Sequence, residues 1–204
     1  MGYFEGSTMT TANMQSAGAV TPPTQISRGV RLLRVIVLLA AGLAITFTAT
    51  LHEQISFDQT LLCISLGALG IAHLVHAFAA RGSGSAPIAL LLAIAAIAAA
   101  VLVPLSVMAS PDLGVATLVS ITLAAWALVS GLLEFIGAFT QPGARQDALL
   151  LGALGVLLSI LILVFRYDPV AVIGFFGAYA VIAGVFLGIS AFDNRAAATS
   201  VQPQ

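Results

Sequence analysis

The chain has 204 residues, of which 60% are hydrophobic and 7% are charged, and its formal net charge at pH 7 is −1. A soluble domain of this length cannot keep so many apolar side chains off its surface, so the composition excludes that class and predicts an integral membrane protein. The near-balance of seven basic and eight acidic residues leaves no polybasic patch for nucleic acid or anionic lipid.

Residues 1–27 are rich in Ser, Thr, Gln, Gly and Pro and contain too few apolar residues to build a core, so we expect a disordered polar N-terminal tail. This tail lacks the basic start and short apolar stretch of a cleavable signal peptide, and we expect the first membrane span to act as the targeting signal. Residues 196–204 are expected to form a short C-terminal tail.

Six apolar runs follow the tail, each close to the length of about 20 residues that a helix needs to cross a bilayer. Backbone groups in hydrocarbon must bond to one another, so each run is expected to be an α-helix. The sequence therefore predicts an all-α polytopic membrane protein with a six-helix transmembrane domain over residues 28–195. The expected spans are residues 31–51, 60–80, 86–108, 114–139, 147–166 and 170–192.

Turn-forming residues separate these spans. The boundaries between three helical hairpins are expected at residues 82–87 and 141–143, where Gly and Pro are concentrated. The connections inside the hairpins are expected at residues 52–59, 110–112 and 167–169. The last connection is so short that the fifth and sixth helices must be antiparallel neighbours.

The second span of each hairpin ends with the same pattern, a glycine followed seven and eight residues later by Ala and Phe. Such internal repetition predicts three tandem copies of one hairpin, with a shared orientation around an axis along the membrane normal. A quasi-threefold arrangement is compatible with this pattern. The copies of the pattern run from Gly70, Gly131 and Gly184, and the hairpins cover about residues 31–80, 86–139 and 147–192.

All seven basic residues are arginines, and six of them fall on one side of this arrangement, with only Arg166 on the other. Because cytoplasmic loops carry the excess of basic residues, both termini are predicted to be cytoplasmic in a plasma (inner) membrane. The opposite face is expected to hold Glu53, Asp58, Asp112 and Asp168 in solvated connections. The six arginines are Arg28, Arg31, Arg34, Arg81, Arg145 and Arg195.

Small residues are expected to mark the contacts between helices, because lipid tails are as apolar as leucine and helices associate in them through close backbone approach. Pairs of glycines three or four residues apart place flat patches on single helix faces. The expected helix-packing residues are Gly67, Gly70, Gly131, Gly152, Gly155, Gly174, Gly177, Gly184 and Gly188. Packing alone is a sufficient reason for all of them.

Polar residues at membrane depth are the main candidates for chemistry. His73 and Glu134 occupy the same repeat position, where the third copy has Leu187, and His76 shares a helix face with His73. A charged carboxylate in hydrocarbon must face the bundle interior, pair with a cation such as protonated His73, or stay protonated. The functional interpretation is a proton-titrating cluster, since imidazole changes charge near physiological pH. The alternative is that these side chains reach the headgroup region and are satisfied there.

Trp126 and Tyr179 are a second pair of repeat-equivalent residues, with Ser65 as the counterpart in the first hairpin. Their position near mid-membrane excludes an interfacial belt. We expect them to provide bulky packing inside the bundle, and the alternative is one wall of a ligand site.

Metal, cofactor and enzyme chemistry find little support in the sequence. His73 and His76 form an H-x-x-H spacing, but no further ligand lies within helical reach, so we expect no metal site and no cofactor. Six spans also occur in rhomboid proteases, whose G-x-S-G motif fails here because Leu128 stands in place of the first glycine. We therefore expect a protein that is not an enzyme.

The segment from Trp126 to Phe139, with Gly131 and Glu134 inside it, resembles the second-helix pattern of the HdeD-like family of small bacterial membrane proteins, which are built from short repeats of unknown function. The resemblance covers about residues 31–192, and the first repeat departs from it at His73 and His76. It implies a role in acid or general stress resistance in the inner membrane. It implies no catalytic residue and no cofactor.

Three hypotheses about function follow from these observations. The leading one is a non-enzymatic membrane protein of the HdeD-like type that acts in acid or envelope stress tolerance. The second is a small transporter or channel for protons or a small solute that uses the cluster of His73, His76 and Glu134. The third is an accessory subunit of a larger membrane complex. The expected partners are the lipid bilayer and a membrane-protein partner or a second copy of the chain, without nucleic acid.

Overall fold

The computed structural model describes residues 28–52, 54–109, 114–140 and 145–199, and every regular element in them is helical. The predicted N-terminal tail and the predicted turns at residues 110–112 and 141–143 lie outside this part of the chain. A short 3₁₀ turn, Ala49–Leu51, follows the first helix. The helices are α1 (Arg28–Phe47), α2 (Ile55–Ala79), α3 (Ala86–Ala109), α4 (Val115–Thr140), α5 (Arg145–Val164) and α6 (Pro169–Thr199).

All six helices are long and apolar enough to cross a membrane. The apolar stretches that meet this condition have 20 to 25 residues, close to the length of about 20 that a span requires. This confirms the predicted all-α, six-span fold. It makes the chain a multi-pass membrane protein.

The connection between α1 and α2 lies earlier in the chain than expected. The sequence placed it at residues 52–59, whereas α1 ends at Phe47 and α2 already begins at Ile55. Asp58 therefore lies in the first turn of a helix, where a carboxylate is favoured by the positive end of the helix dipole. Ser56, Asp58 and Gln59, which suggested a turn, are part of the span, whereas His52 and Gln54 precede it.

The six helices form a closed ring, in which each helix neighbours the previous and the next and α6 returns to α1. The closest neighbours are not the two helices of one hairpin. They are α2 with α3, α4 with α5, and α6 with α1, which are the contacts between successive hairpins. Among the second helices, α4 also approaches both α2 and α6 inside the ring.

The repeat glycines explain these close contacts. A Cβ atom on Gly70 would lie 2.5 Å from the side chain of Ile97 in α3, and one on Gly184 would lie 2.9 Å from the side chain of Leu39 in α1. On Gly131 it would lie 2.9 Å from backbone atoms of α5. In each hairpin the second helix thus meets the first helix of the next hairpin through the same repeat position. The contact is repeated three times around the ring, as a quasi-threefold arrangement requires.

The other predicted packing glycines divide into two groups. Gly152, Gly155 and Gly177 also face a neighbouring helix, with a Cβ position between 2.8 and 2.9 Å from its nearest atom. Gly188 and Gly67 have looser contacts, at 3.5 and 4.0 Å. Gly174 is different, because it is exposed and has no heavy atom within 4 Å of its Cβ position.

One tight glycine contact was not predicted from the sequence. A Cβ atom on Gly42 of α1 would lie 2.5 Å from Val181 and 3.0 Å from the carbonyl oxygen of Gly177, both in α6. Gly42 has no glycine partner three or four residues away in α1, so the spacing rule did not select it. Its contact tightens the interface that closes the ring.

The two ends of the ring carry different charges. The arginine end, defined by Arg28, Arg34, Arg81 and Arg145, holds the first residues of α1, α3 and α5 and the last span residues of α2, α4 and α6. The aspartate end, defined by Asp58 and Asp168, holds the first residues of α2, α4 and α6.

At the arginine end, the phenylalanine that closes each repeat pattern has a guanidinium group over its ring. These rings are between 51 and 73% exposed, so the stacks face outward at the level where the spans end. A guanidinium group in this position is attracted to the face of the aromatic ring, which is a cation–π interaction. The pairs are Arg81 over Phe78 and Arg28 over Phe192, both at 4.3 Å from the ring centroid, and Arg145 over Phe139 at 5.7 Å.

Candidate functional site

The centre of the ring is filled by repeat-equivalent side chains of α2, α4 and α6. Eight residues before the repeat glycines stand Leu62, Leu123 and Phe176, whose exposed fractions are 1, 0 and 1%. We call these three residues the axial layer. Trp126 packs edge-to-face on Phe176, with 5.9 Å between ring centroids, and lies on the arginine-end side of the layer.

Trp126 and Tyr179 are both buried, and their rings meet edge-to-face at 6.1 Å. Ser65, the third residue at this repeat position, is also buried. The three positions therefore face the interior of the bundle in every hairpin, as expected for bulky interior packing rather than for a membrane-interface belt.

An ion pair closes the arginine end of this axis. Arg34 Nη2 in α1 donates a hydrogen bond to Glu134 Oε1 in α4 at 2.5 Å, and the two side chains are 17 and 12% exposed. Because α1 and α4 are not neighbours in the ring, the two long side chains reach each other across its end. The sequence assigned Arg34 only to the membrane boundary, since a partner 100 residues away leaves no local signal.

The two predicted histidines lie beside this ion pair. His73 is 4% exposed and experiences the charges of Arg34 and His76. His76 is less buried and experiences the charges of Arg34, Arg31 and Glu134. The structure thus brings the three predicted cluster residues to one region.

The cation that pairs with Glu134 is Arg34, where the sequence analysis offered protonated His73. A guanidinium group is charged at every physiological pH, so it holds the Glu134 carboxylate without needing a protonated histidine. Removing one partner of a fully buried pair typically costs about 3–5 kcal/mol, and this partly buried pair is expected at or below the lower end of that range. The first consequence of the pair is therefore structural: it joins α1 to α4.

A second buried pair lies at the aspartate end. His52 Nδ1 is 2.5 Å from Asp58 Oδ1, His52 Nε2 is 2.8 Å from the carbonyl oxygen of Ile45, and the two residues are 4 and 5% exposed. Both ring nitrogens thus face oxygen acceptors. Nε2 must carry a proton to donate to the carbonyl, and one further proton is shared between Nδ1 and Oδ1. The pair is neutral overall wherever that proton lies.

This pair corrects the sequence analysis, which placed Asp58 in a solvated connection and gave His52 no role. Buried Asp58 is held by a hydrogen bond across the turn that joins α1 to α2. The repeat alignment contained a signal for this burial, since Asp58 is in register with Val119 and Val172, both of which are apolar and buried. The residues around Asp58 favour a turn, whereas the repeat register predicts a buried position in a helix, and the structure agrees with the register.

A small cavity of about 20 Å³ adjoins Asp58 on the axis at the aspartate end. Its lining comes from repeat-equivalent positions near the first turns of α2, α4 and α6, so the three hairpins converge there. The volume suffices for one water molecule. The lining residues are Ile55, Asp58, Leu62, Ala116, Val119, Ser120, Pro169, Val172 and Ile173.

Three buried polar atoms near the axis have no hydrogen-bond partner among the described residues. They are Asp58 Oδ2 beside the cavity, and Trp126 Nε1 and Ser130 Oγ on α4. Ser130 lies four residues after Trp126 and four before Glu134, so the three side chains follow one face of the helix. Buried polar groups are nearly always hydrogen-bonded, so each of these atoms calls for a partner such as water.

The remaining aspartates have local structural roles. Asp168 is exposed, and its Oδ1 accepts a hydrogen bond from the backbone N–H of Ala171 at 3.0 Å, which caps α6 ahead of Pro169 in the first helical position. Asp147 accepts a hydrogen bond from the hydroxyl of Ser190, which links α5 to α6 at the arginine end. Glu53 and Asp112 lie outside the described residues.

No group of three or more His, Cys, Asp or Glu side chains arranged to hold a metal ion occurs within residues 28–52, 54–109, 114–140 and 145–199. The charged side chains of the described site form two pairs, the partly buried Arg34–Glu134 and the buried His52–Asp58. One lies at each end of an axis that is apolar in the middle.

Comparison with known proteins gives one match. Residues 106–164 match a family described as a short repeat of unknown function (DUF308), a domain that is found in HdeD-like membrane proteins. Comparisons with curated proteins and with solved structures gave no match. The matched stretch is less than a third of the chain and contains the end of α3 and all of α4 and α5, so it includes the close contact around Gly131. The central part of this membrane protein is therefore similar to a DUF308 short repeat.

Proposed function

We propose that this protein is a non-enzymatic membrane protein that acts in tolerance of acid or envelope stress. The resemblance to HdeD-like proteins and the DUF308 match support this class. The observation that carries the proposal is the buried pair of His52 and Asp58 at the aspartate end, which in our proposal faces the outside of the inner membrane.

The proposed response to acid depends on how many protons the His52–Asp58 pair carries, because this number sets the net charge of the pair. At neutral pH the pair shares one proton and has no net charge, so its burial is tolerable. Acid adds a second proton, which neutralises Asp58 and leaves the imidazolium of His52 as an uncompensated buried cation. An uncompensated buried charge typically costs about 3–5 kcal/mol, so low pH loosens the turn between α1 and α2. Histidine-containing pairs are a common basis of such pH responses.

The experiment compares survival of a deletion strain under acid challenge when it carries the wild-type gene, Asp58→Asn or Asp168→Asn. Asparagine is isosteric with aspartate but is never charged, so a protonated His52 lacks its compensating partner at every pH and the acid-dependent change of the pair is lost. Asp168 is a matched control because it is an exposed aspartate at the same end. We expect the wild type and Asp168→Asn to restore survival and Asp58→Asn to fail. Survival that is unchanged by the deletion, or fully restored by Asp58→Asn, contradicts the proposal.

A second candidate function is transport of protons or a small solute. It is favoured by the gathering of His73, His76 and Glu134 at the arginine end, and by the unpartnered polar atoms of Trp126 and Ser130 that lead towards them among the described residues. The test is flux into proteoliposomes that contain the purified protein. We expect the double variant His73→Ala, Glu134→Ala to lose most of the wild-type flux. Equal flux from this variant and the wild type would show that the cluster takes no part in transport.

A further inference from the structure

We propose that the axis between α2, α4 and α6 is a proton path that is hydrated on both sides and closed in the middle by the axial layer of Leu62, Leu123 and Phe176. This inference rests on the transport function proposed as the second candidate. It names the transported ion, the route and the closing residues.

The path begins at the cavity of the aspartate end. Its lining comes from three repeat-equivalent positions, so the cavity lies on the common axis of the hairpins and not at one side of the bundle. The Asp58 side chain is 7% exposed, and its Oδ2 has no partner in the described chain. A cavity of about 20 Å³ is large enough for a water molecule, which would supply the missing hydrogen bond.

The path resumes on the arginine-end side of the layer. Trp126 Nε1 and Ser130 Oγ are buried without partners among the described residues. Four residues of helix separate them, which is a rise of about 6 Å, and a further 6 Å leads to Glu134. Waters that bridge these groups give each of them a hydrogen bond. A chain of such waters carries protons towards the arginine end.

The axial layer separates the two polar regions. Its three side chains are apolar and at most 1% exposed. Asp58 is in register with Val119, so seven residues of α4 separate its level from Trp126, a rise of about 10 Å. Hydrophobic constrictions of this kind close channels by excluding water. The described structure is thus the closed state of the path.

The features of the cavity favour protons over larger ions. It has the volume of one water molecule, and Asp58 is the only carboxylate in its lining. A metal cation of the calcium type needs six to eight oxygen ligands, which this mostly apolar lining does not supply. A proton can pass between water and a carboxylate without such a ligand shell.

The test is proton flux into phosphatidylethanolamine–phosphatidylglycerol liposomes that contain the purified full-length chain and a trapped pH dye. Leu123→Ser puts a small polar side chain in the axial layer. We expect it to raise the flux about tenfold over the wild type, which corresponds to about 1.4 kcal/mol off the barrier. Leu128→Ser is the matched control, since Leu128 is on the same helix but 41% exposed. Adding Asp58→Asn to Leu123→Ser should lower the flux again. Equal flux from the two leucine variants overturns the proposal.

A second measurement needs no variant in the layer. Trp126 is the single tryptophan of the chain, so its fluorescence reports on the axis alone. Water bound at Nε1 should shift its emission to longer wavelength, and Ser130→Ala, which removes the other partner of that water, should shift it back. Emission typical of a dry apolar site that does not respond to Ser130→Ala overturns the hydrated path, whether or not Leu123→Ser folds.

The outcomes separate the path from the transport function. A wild type without flux, together with a Leu123→Ser variant whose flux depends on Asp58, supports the path and contradicts transport in the resting protein. Wild-type flux that none of the axial variants changes supports transport and overturns the path. No flux from any variant overturns both.

Discussion

Adding one methyl group at the α4–α5 contact should destabilise the bundle. A Cβ atom on Gly131 would lie 2.9 Å from the carbonyl oxygen of Gly152, 2.9 Å from the backbone nitrogen of Val156 and 3.2 Å from the carbonyl carbon of Gly155. All three are backbone atoms, so no side-chain rotation relieves the overlap and the helices must move apart. A gap of 0.5–1 Å forfeits about a quarter to a half of each dispersion contact along the interface. We expect Gly131→Ala to lower the free energy of unfolding by about 1–3 kcal/mol.

Other glycines supply the controls for this prediction. Gly174→Ala adds the same methyl group where no heavy atom lies within 4 Å, so it should stabilise α6 by up to about 1 kcal/mol through helix propensity. Gly70→Ala and Gly184→Ala should fall between these limits. Their nearest neighbours are the side chains of Ile97 and Leu39, which can partly move aside.

The assay is reversible unfolding of the purified variants in mixed micelles, followed by circular dichroism as the denaturing detergent is increased. The expected order of stability is Gly174→Ala, wild type, then Gly70→Ala and Gly184→Ala, and last Gly131→Ala. If Gly131→Ala unfolds at the same point as Gly174→Ala, the close backbone contact between α4 and α5 is refuted.

Three further predictions concern the polar groups. Arg34→Ala should lower the free energy of unfolding by up to about 3 kcal/mol because it leaves the partly buried Glu134 unpaired, and the double variant with Glu134→Ala should recover much of that loss in the same detergent assay. Asp168→Ala should cost only about 1 kcal/mol, the usual value for a helix N-cap. Thermal stability of Asp58→Asn should fall on acidification more than that of the wild type, because a protonated His52 has no carboxylate partner in this variant; parallel pH profiles would contradict this.

The architecture could be predicted from the sequence because it depends on the length of apolar runs and on repetition. Six stretches of the right length leave no other way to satisfy the backbone in lipid. Which helices pack against each other could not be predicted in the same way. Glycine spacing identifies a helix face but not the helix opposite it, so Gly174 and Gly177 were grouped although only Gly177 meets a neighbour.

The candidate site could be predicted only in part. His73, His76 and Glu134 were selected because polar residues at membrane depth are rare. Arg34 was missed as a partner because a long side chain can reach across a helix bundle to a residue remote in sequence. Asp58 was missed because local turn chemistry and repeat register gave opposite indications, and burial follows the register.

The closure of the ring by α1 and α6 has a consequence for biosynthesis. Helix α1 is translated well before α6, yet it packs more closely on α6 than on α2, through Gly42 and Gly184. During insertion, α1 must therefore remain in the bilayer with this face turned to lipid or to the insertion machinery until α6 has been translated. Slow translation of the final hairpin would prolong the life of this open intermediate, in which mispairing with other nascent membrane chains can compete.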